Sequence, residues 1–176
     1  MRKDLRRVRV LTAACLAAAL TACGSSDDQK LSYPVPDDIC GIAADKGVLE
    51  ALLDDGEEFE QDSGHFSLEE GQICHMYVDG NESVMSIADW NEKGYELPDL
   101  FQGDEPEGLR FIKGGTYASW DFGVATVIAC PGVSEEGDVV SVEVTDMKWD
   151  EESRALLEKL VPSYFDAYKK ELGCPG

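Results

Sequence analysis

Apolar positions along this chain follow two periods, three to four residues near the ends of its polar-flanked body and two in the middle. Ile39, Ile42, Ala43, Leu49, Leu52 and Leu53 approximate one helical face. Asp37 or Asp38 can cap that helix and Gly56 can end it, while Gly47 in the middle also allows two short helical pieces. Residues 54–71 read as an acidic, glycine-containing loop. The runs 72–78 and 83–90 read as strands around Asp79-Gly80-Asn81-Glu82, where Gly and Asn tolerate positive φ, and they give the best hairpin signal in the chain. Gly94, Pro98, Gly103, Pro106 and Gly108 make residues 91–108 a long surface excursion. A short strand over 110–113, a turn at Gly114-Gly115 and two strands within 116–130, bent near Asp121-Phe122-Gly123, follow. Val140, Val142 and Val144 then alternate with Ser141, Glu143 and Thr145, the mark of a strand with one buried face.

The clearest helix closes the chain, with Leu157, Leu160, Val161, Tyr164, Phe165, Tyr168 and Leu172 recurring every three or four residues. Lys169 and Lys170 suit its C-terminal end and Gly173 and Pro175 stop it, while Pro162 predicts a kink or a second segment. The predicted fold class is α+β: an antiparallel sheet of five to six strands with N-terminal and C-terminal helices packed on one face.

The first residues follow a different pattern. Arg2, Lys3, Arg6, Arg7 and Arg9 precede an uncharged stretch from Val10 to Leu20, which leads into Leu20-Thr21-Ala22-Cys23-Gly24. This order is that of a secretory signal, and the apolar core is too short for a spanning helix. With Cys directly after Leu-Thr-Ala, the segment resembles a bacterial lipoprotein precursor. The resemblance implies cleavage before Cys23, diacylglycerol on its thiol, and anchoring on the extracytoplasmic face of the cell membrane. The expected organisation is a signal peptide over 1–22, a lipidated flexible tether over 23–36 and a single domain over 37–176.

Charge narrows the partners. The chain has a net charge of −21, and removing residues 1–22, with five basic residues and one acid, leaves −25. Such a surface repels nucleic acid, which needs clustered Lys and Arg. Membrane contact is therefore expected through lipid on Cys23, with a protein or cell-envelope ligand as partner and no oligomeric state implied.

Of six cysteines, Cys15 leaves with the leader and Cys23 takes lipid; Cys40, Cys74, Cys130 and Cys174 remain. Four thiols in an oxidising compartment suggest two disulfides, for which three connectivities exist. We expect Cys40 with Cys74 and Cys130 with Cys174, because each pair ties a terminal helix to a strand of the adjoining half. Zinc is disfavoured by wide spacing without a CxxC pair. Ile39-Cys40-Gly41-Ile42 leading to Leu49-Glu50-Ala51-Leu52-Leu53, Cys74 in an early strand, Cys130 in a late one and Cys174 after the last helix together resemble a family of uncharacterised actinobacterial lipoproteins. These are domains of unknown function with an N-terminal Cys-containing helix. Similar extracytoplasmic domains include sensor heads with a cleft over the sheet, which implies a ligand role.

Catalytic patterns are sparse. His65 and His75 are the only histidines, no G-x-S-x-G elbow is present, and no glycine-rich phosphate loop precedes a helix. Asp54-Asp55, Glu57-Glu58, Glu69-Glu70 and Glu135-Glu136 supply paired acids, but glycoside hydrolysis needs one carboxyl in an apolar pocket. The acidic stretches 54–70 and 96–107 offer oxygens for calcium, yet Phe59 stands where a calcium loop starting at Asp54 requires glycine. No cofactor, metal site or catalytic residue is assigned. Trp90, Trp120, Phe111 and Tyr117 are candidates to line a ligand cleft over the sheet. Two functions follow: a non-enzymatic binding or interaction domain, or an envelope hydrolase built from scattered acids and His75, which would require a buried carboxylate beside a polar partner.

Overall fold

The computed structural model describes residues 31–64, 70–149 and 152–175. A two-residue pair, β1 (Asp38–Ile39) and β2 (Ile42–Ala43), precedes the short helix α1 (Lys46–Leu52). Seven strands form the main sheet: β3 (Phe59–Ser63), β4 (Gln72–Val78), β5 (Asn81–Asn91), β6 (Arg110–Ile112), β7 (Tyr117–Trp120), β8 (Gly123–Ala129) and β9 (Val139–Asp146). Helix α2 (Ser153–Glu171) follows. The sheet is antiparallel throughout, in the order β3-β4-β5-β9-β8-β7-β6.

The fold class is thus α+β with a large antiparallel sheet, but the main sheet has seven strands and a small second sheet accompanies it. The additional strand is β3, inside the predicted acidic loop. Its Phe59 is half-buried and Glu60 to Ser63 are exposed, so it carries no apolar alternation. A charged edge strand of this kind resists pairing with other chains, which is why its sequence resembles loop.

The predicted N-terminal helix is corrected too. Cys40 has φ 47° and Gly41 φ 88°, a left-handed pair that closes the β1-β2 turn and leaves only the second half helical. Asp45, rather than Asp37 or Asp38, caps α1, its carboxylate accepting from Val48 N at 3.1 Å. Packing also begins before Asp37: Tyr33 is buried, stacks on Phe59 and donates to Asp54 O at 2.6 Å, while Leu31 and Val35 pack on the core. Residues 31–36 therefore belong to the packed body, whereas the earlier part of the expected tether, Cys23 and the leader lie outside the described residues.

The register sorts the sheet into two faces. Met76, Val84, Ser86, Ala88, Val124, Val140, Val142 and Val144 share the face covered by α2, whose Leu157, Leu160, Val161, Tyr164, Phe165 and Tyr168 are all buried. Each such aliphatic or aromatic side chain contributes about 1.5–3 kcal/mol through removal from water. Pro162 does not break α2. It sits on the exposed side of the helix, where its ring is turned to water.

The opposite face is closed over one half only. A 3-10 turn at Leu97–Phe101 lays Leu97, Leu100 and Phe101 over Ala118, Trp120, Ala125 and Val127, so the segment 91–108 is partly a core element. The β4-β5 hairpin turns through Asp79 (φ 50°) and Gly80 (φ 75°), as the sequence suggests.

Candidate functional site

Disulfides join Cys40 to Cys74 and Cys130 to Cys174. Both sit where a connecting segment meets the sheet: Cys40 in the β1-β2 turn rather than in a helix, and Cys174 just beyond α2.

The four aromatics expected to line one cleft are not brought together. The register puts Trp90 and Tyr117 on the helix-covered face and Trp120 and Phe111 on the other. Tyr117 stacks on Phe165 with centroids 5.8 Å apart. Phe101 meets both Trp120 and Phe111 edge-on, at 5.7 and 6.3 Å. Trp120 is 8% exposed and Phe111 47%. Alternation in β7 causes the split, because Tyr117 and Trp120 differ by an odd number of residues.

Concave surface lies instead where β7 begins. Tyr117 opposes Thr126, and beyond that pair Val127 to Ala129 run on beside β9 alone. Cys130 N donates to Asp138 O and Asp146 N to Phe122 O, both at 2.8 Å, so even-numbered residues of this stretch bond to β9. The ladder's alternation turns the amide and carbonyl of Ala129 toward the notch. A groove of 440 Å³ occupies the helix side, with Tyr117, Thr126, Ile128, Phe165, Asp166 and Lys169 among its walls. A second, of 490 Å³, lies on the other side between Tyr95, Leu97, Pro98 and Val139. Thr116, Val127 and Ala129 line both.

The open half of the second face carries the titratable groups. Burial pushes the Glu143 carboxyl above its ordinary range, and the Asp89 charge adds to this. Burial likewise raises the Tyr95 phenol, with Asp99, Glu143 and Asp89 contributing. Sequence reasoning passed over this trio, although Glu143 is the one charge in the alternation of residues 140–145. His75 does not join it: its Nδ1 is 2.5 Å from Glu82 Oε1, it stacks on Tyr77, and it stands two strands from Glu143. His65 lies outside the described residues. Asp54 is engaged by Tyr33, Ser83 and Lys148, and among the described residues no three His, Cys, Asp or Glu converge as a metal site would require.

Comparison of the chain with protein-family models, curated proteins and solved structures returns no match.

Proposed function

We propose that the chain is a membrane-anchored extracytoplasmic lipoprotein whose folded body is a non-enzymatic binding domain of the cell envelope, with its ligand in the notch beside β8. The resemblance to actinobacterial lipoproteins forms part of this proposal. The address rests on residues 1–22 and Cys23, and the two disulfides suit an oxidising compartment.

One observation carries the binding role: the N-terminal segment and the grooves occupy opposite ends of the sheet. Tyr33 and Asp54 lie beside Ser83 and Lys148, where β5 begins and β9 ends. The grooves lie at the other end, where β8 finishes and β9 begins. Helix α2 spans the interval, from Ser153 against Asp146 to Lys169 in the groove wall, a rise of about 24 Å at 1.5 Å per residue. An anchor at Cys23 therefore presents the notch away from the bilayer. Apolar walls with a few convergent polar groups and backbone donors suit an extended protein or envelope segment.

Two measurements test this. Mass analysis of the mature N-terminus is expected to find diacylglycerol on Cys23, and Cys23→Ala to release the protein or leave it unprocessed; normal anchoring of that variant would falsify the address. Peptides and envelope fragments are expected to raise the melting temperature of the wild type but not of Lys169→Glu, with Lys46→Glu as control. Silence across that panel would refute the binding role.

The hydrolase reading has one observation in its favour, the half-buried Glu143 near Asp89 and Tyr95. Retained fragment binding with no turnover, unchanged in Glu143→Gln, would dispose of it.

A further inference from the structure

The N-terminal segment and the most exposed aromatic side chain of the described body sit at one end of the sheet. Tyr33 donates to the Asp54 carbonyl, and the Asp54 carboxylate lies 3.8 Å from Lys148 Nζ, one residue before Trp149. Trp149 is 63% exposed and has φ 59°, a left-handed conformation that bulky side chains rarely adopt. Its indole stacks on Phe122 of the β7-β8 turn, with centroids 5.1 Å apart and planes 15° from parallel. Phe122 thus supports one face of an indole that is directed outward.

We propose that Trp149, supported by Phe122, is seated in the interfacial layer of the bilayer that holds the anchor. This rests on Cys23 being lipidated. Eight peptide steps separate Cys23 from Leu31 and span at most roughly 28 Å when fully extended. The end of the sheet bearing Tyr33 is therefore the part of the body held nearest the lipid. An indole suits that layer, since its ring is apolar and its N–H finds partners among headgroups. Asp54, Asp55, Glu57, Asp79 and Asp121 outnumber Lys148 and Arg154, which pair with Asp54 and Asp121 at this end, so the contact is made by the aromatic pair and opposed by net negative charge. Zwitterionic headgroups are favoured over anionic ones, and salt narrows the difference.

The test uses the full chain as a bacterial host processes it, isolated and mixed with phosphatidylcholine vesicles brominated close to the headgroup. Bromine-dependent quenching of tryptophan emission is expected in the wild type. Trp149→Phe, which retains Trp90 and Trp120, is expected to lose that quenching and still float with the vesicles. Flotation without quenching in the wild type overturns the contact and leaves the anchor standing. Quenching that survives in Trp149→Phe also overturns it. Failure to float overturns the anchor and the contact together.

Discussion

Tyr164 Oη lies 3.0 Å from Ser86 Oγ inside the helix-sheet interface, both side chains being closed to solvent. Removing either hydroxyl leaves the other without this partner in an apolar surrounding. Tyr164→Phe or Ser86→Ala is expected to cost about 1–3 kcal/mol. The double variant should cost less than the sum, because no orphaned group remains from the pair. A double-mutant cycle in urea checks both statements, and strict additivity would contradict the coupling.

Alkaline pH should act through the same region. Burial raises the phenols of Tyr164 and Tyr168 above their ordinary value and pushes Tyr33 up to about 12, with Asp54, Asp55 and Asp79 adding to that last effect. A raised folded-state pKa means that the folded form holds its proton longer than the unfolded form does. The resulting stability is complete below the unfolded value, about pH 10, and is lost as pH climbs through the folded values. Urea midpoints are expected to fall above pH 10, less steeply in Tyr168→Phe.

Glu143 predicts the same sign in another range. With its carboxyl raised by burial and by Asp89, its contribution is present below the unfolded pKa and lost as pH rises through the folded value. At neutral pH it therefore weakens the fold. Glu143→Gln is expected to raise the melting temperature at pH 7 and to lose this advantage near pH 4. A variant less stable than the wild type at pH 7 would contradict the assignment.

The disulfides close stretches of 34 and 44 residues. Loss of either, as Cys40→Ala with Cys74→Ala or Cys130→Ala with Cys174→Ala, should cost about 2–4 kcal/mol. Non-reducing peptide mapping should recover the two pairs, and a different connectivity would contradict the layout.

Gly137 packs against the backbone of Asn91, which leaves no room for a Cβ. Because neither backbone can yield cheaply, Gly137→Ala is expected to destabilise by about 1–3 kcal/mol, whereas Gly132→Ala, with open space around it, should be affected only through its positive φ of 75°. Thermal unfolding of the two variants provides the comparison.

How much of this was readable depended on how strongly each residue's environment is written into its neighbours. Helix α2 was readable because six of its apolar residues repeat along one buried stripe, and the β4-β5 turn because Asp79-Gly80 suits left-handed backbone. Strand β3 was hidden because its outward residues are charged for edge protection. The β1-β2 turn was hidden because Ile39 and Ile42 satisfy a helical spacing equally well, and only the φ of Cys40 separates the alternatives. The aromatic cleft failed through register: composition counts rings, but pairing decides the face on which each one emerges. The notch at Ala129 depends on where β7 begins, and Glu143 on its position relative to Asp89 on the neighbouring strand. Both are properties of pairing between distant segments, which local periodicity does not encode.

The Cys40-Cys74 bond also sets how the body responds to traction. A pull on the N-terminus would peel Leu31 to Ile39 away first, breaking the Tyr33 contacts one at a time. At Cys40 the load passes through a covalent bond into β4, a strand hydrogen-bonded on both sides. Unravelling from that end then stops after about nine residues unless the sheet itself shears. The β1-β2 turn is thus a mechanical stop, protecting the sheet and the notch at its far end from stress on the N-terminal segment.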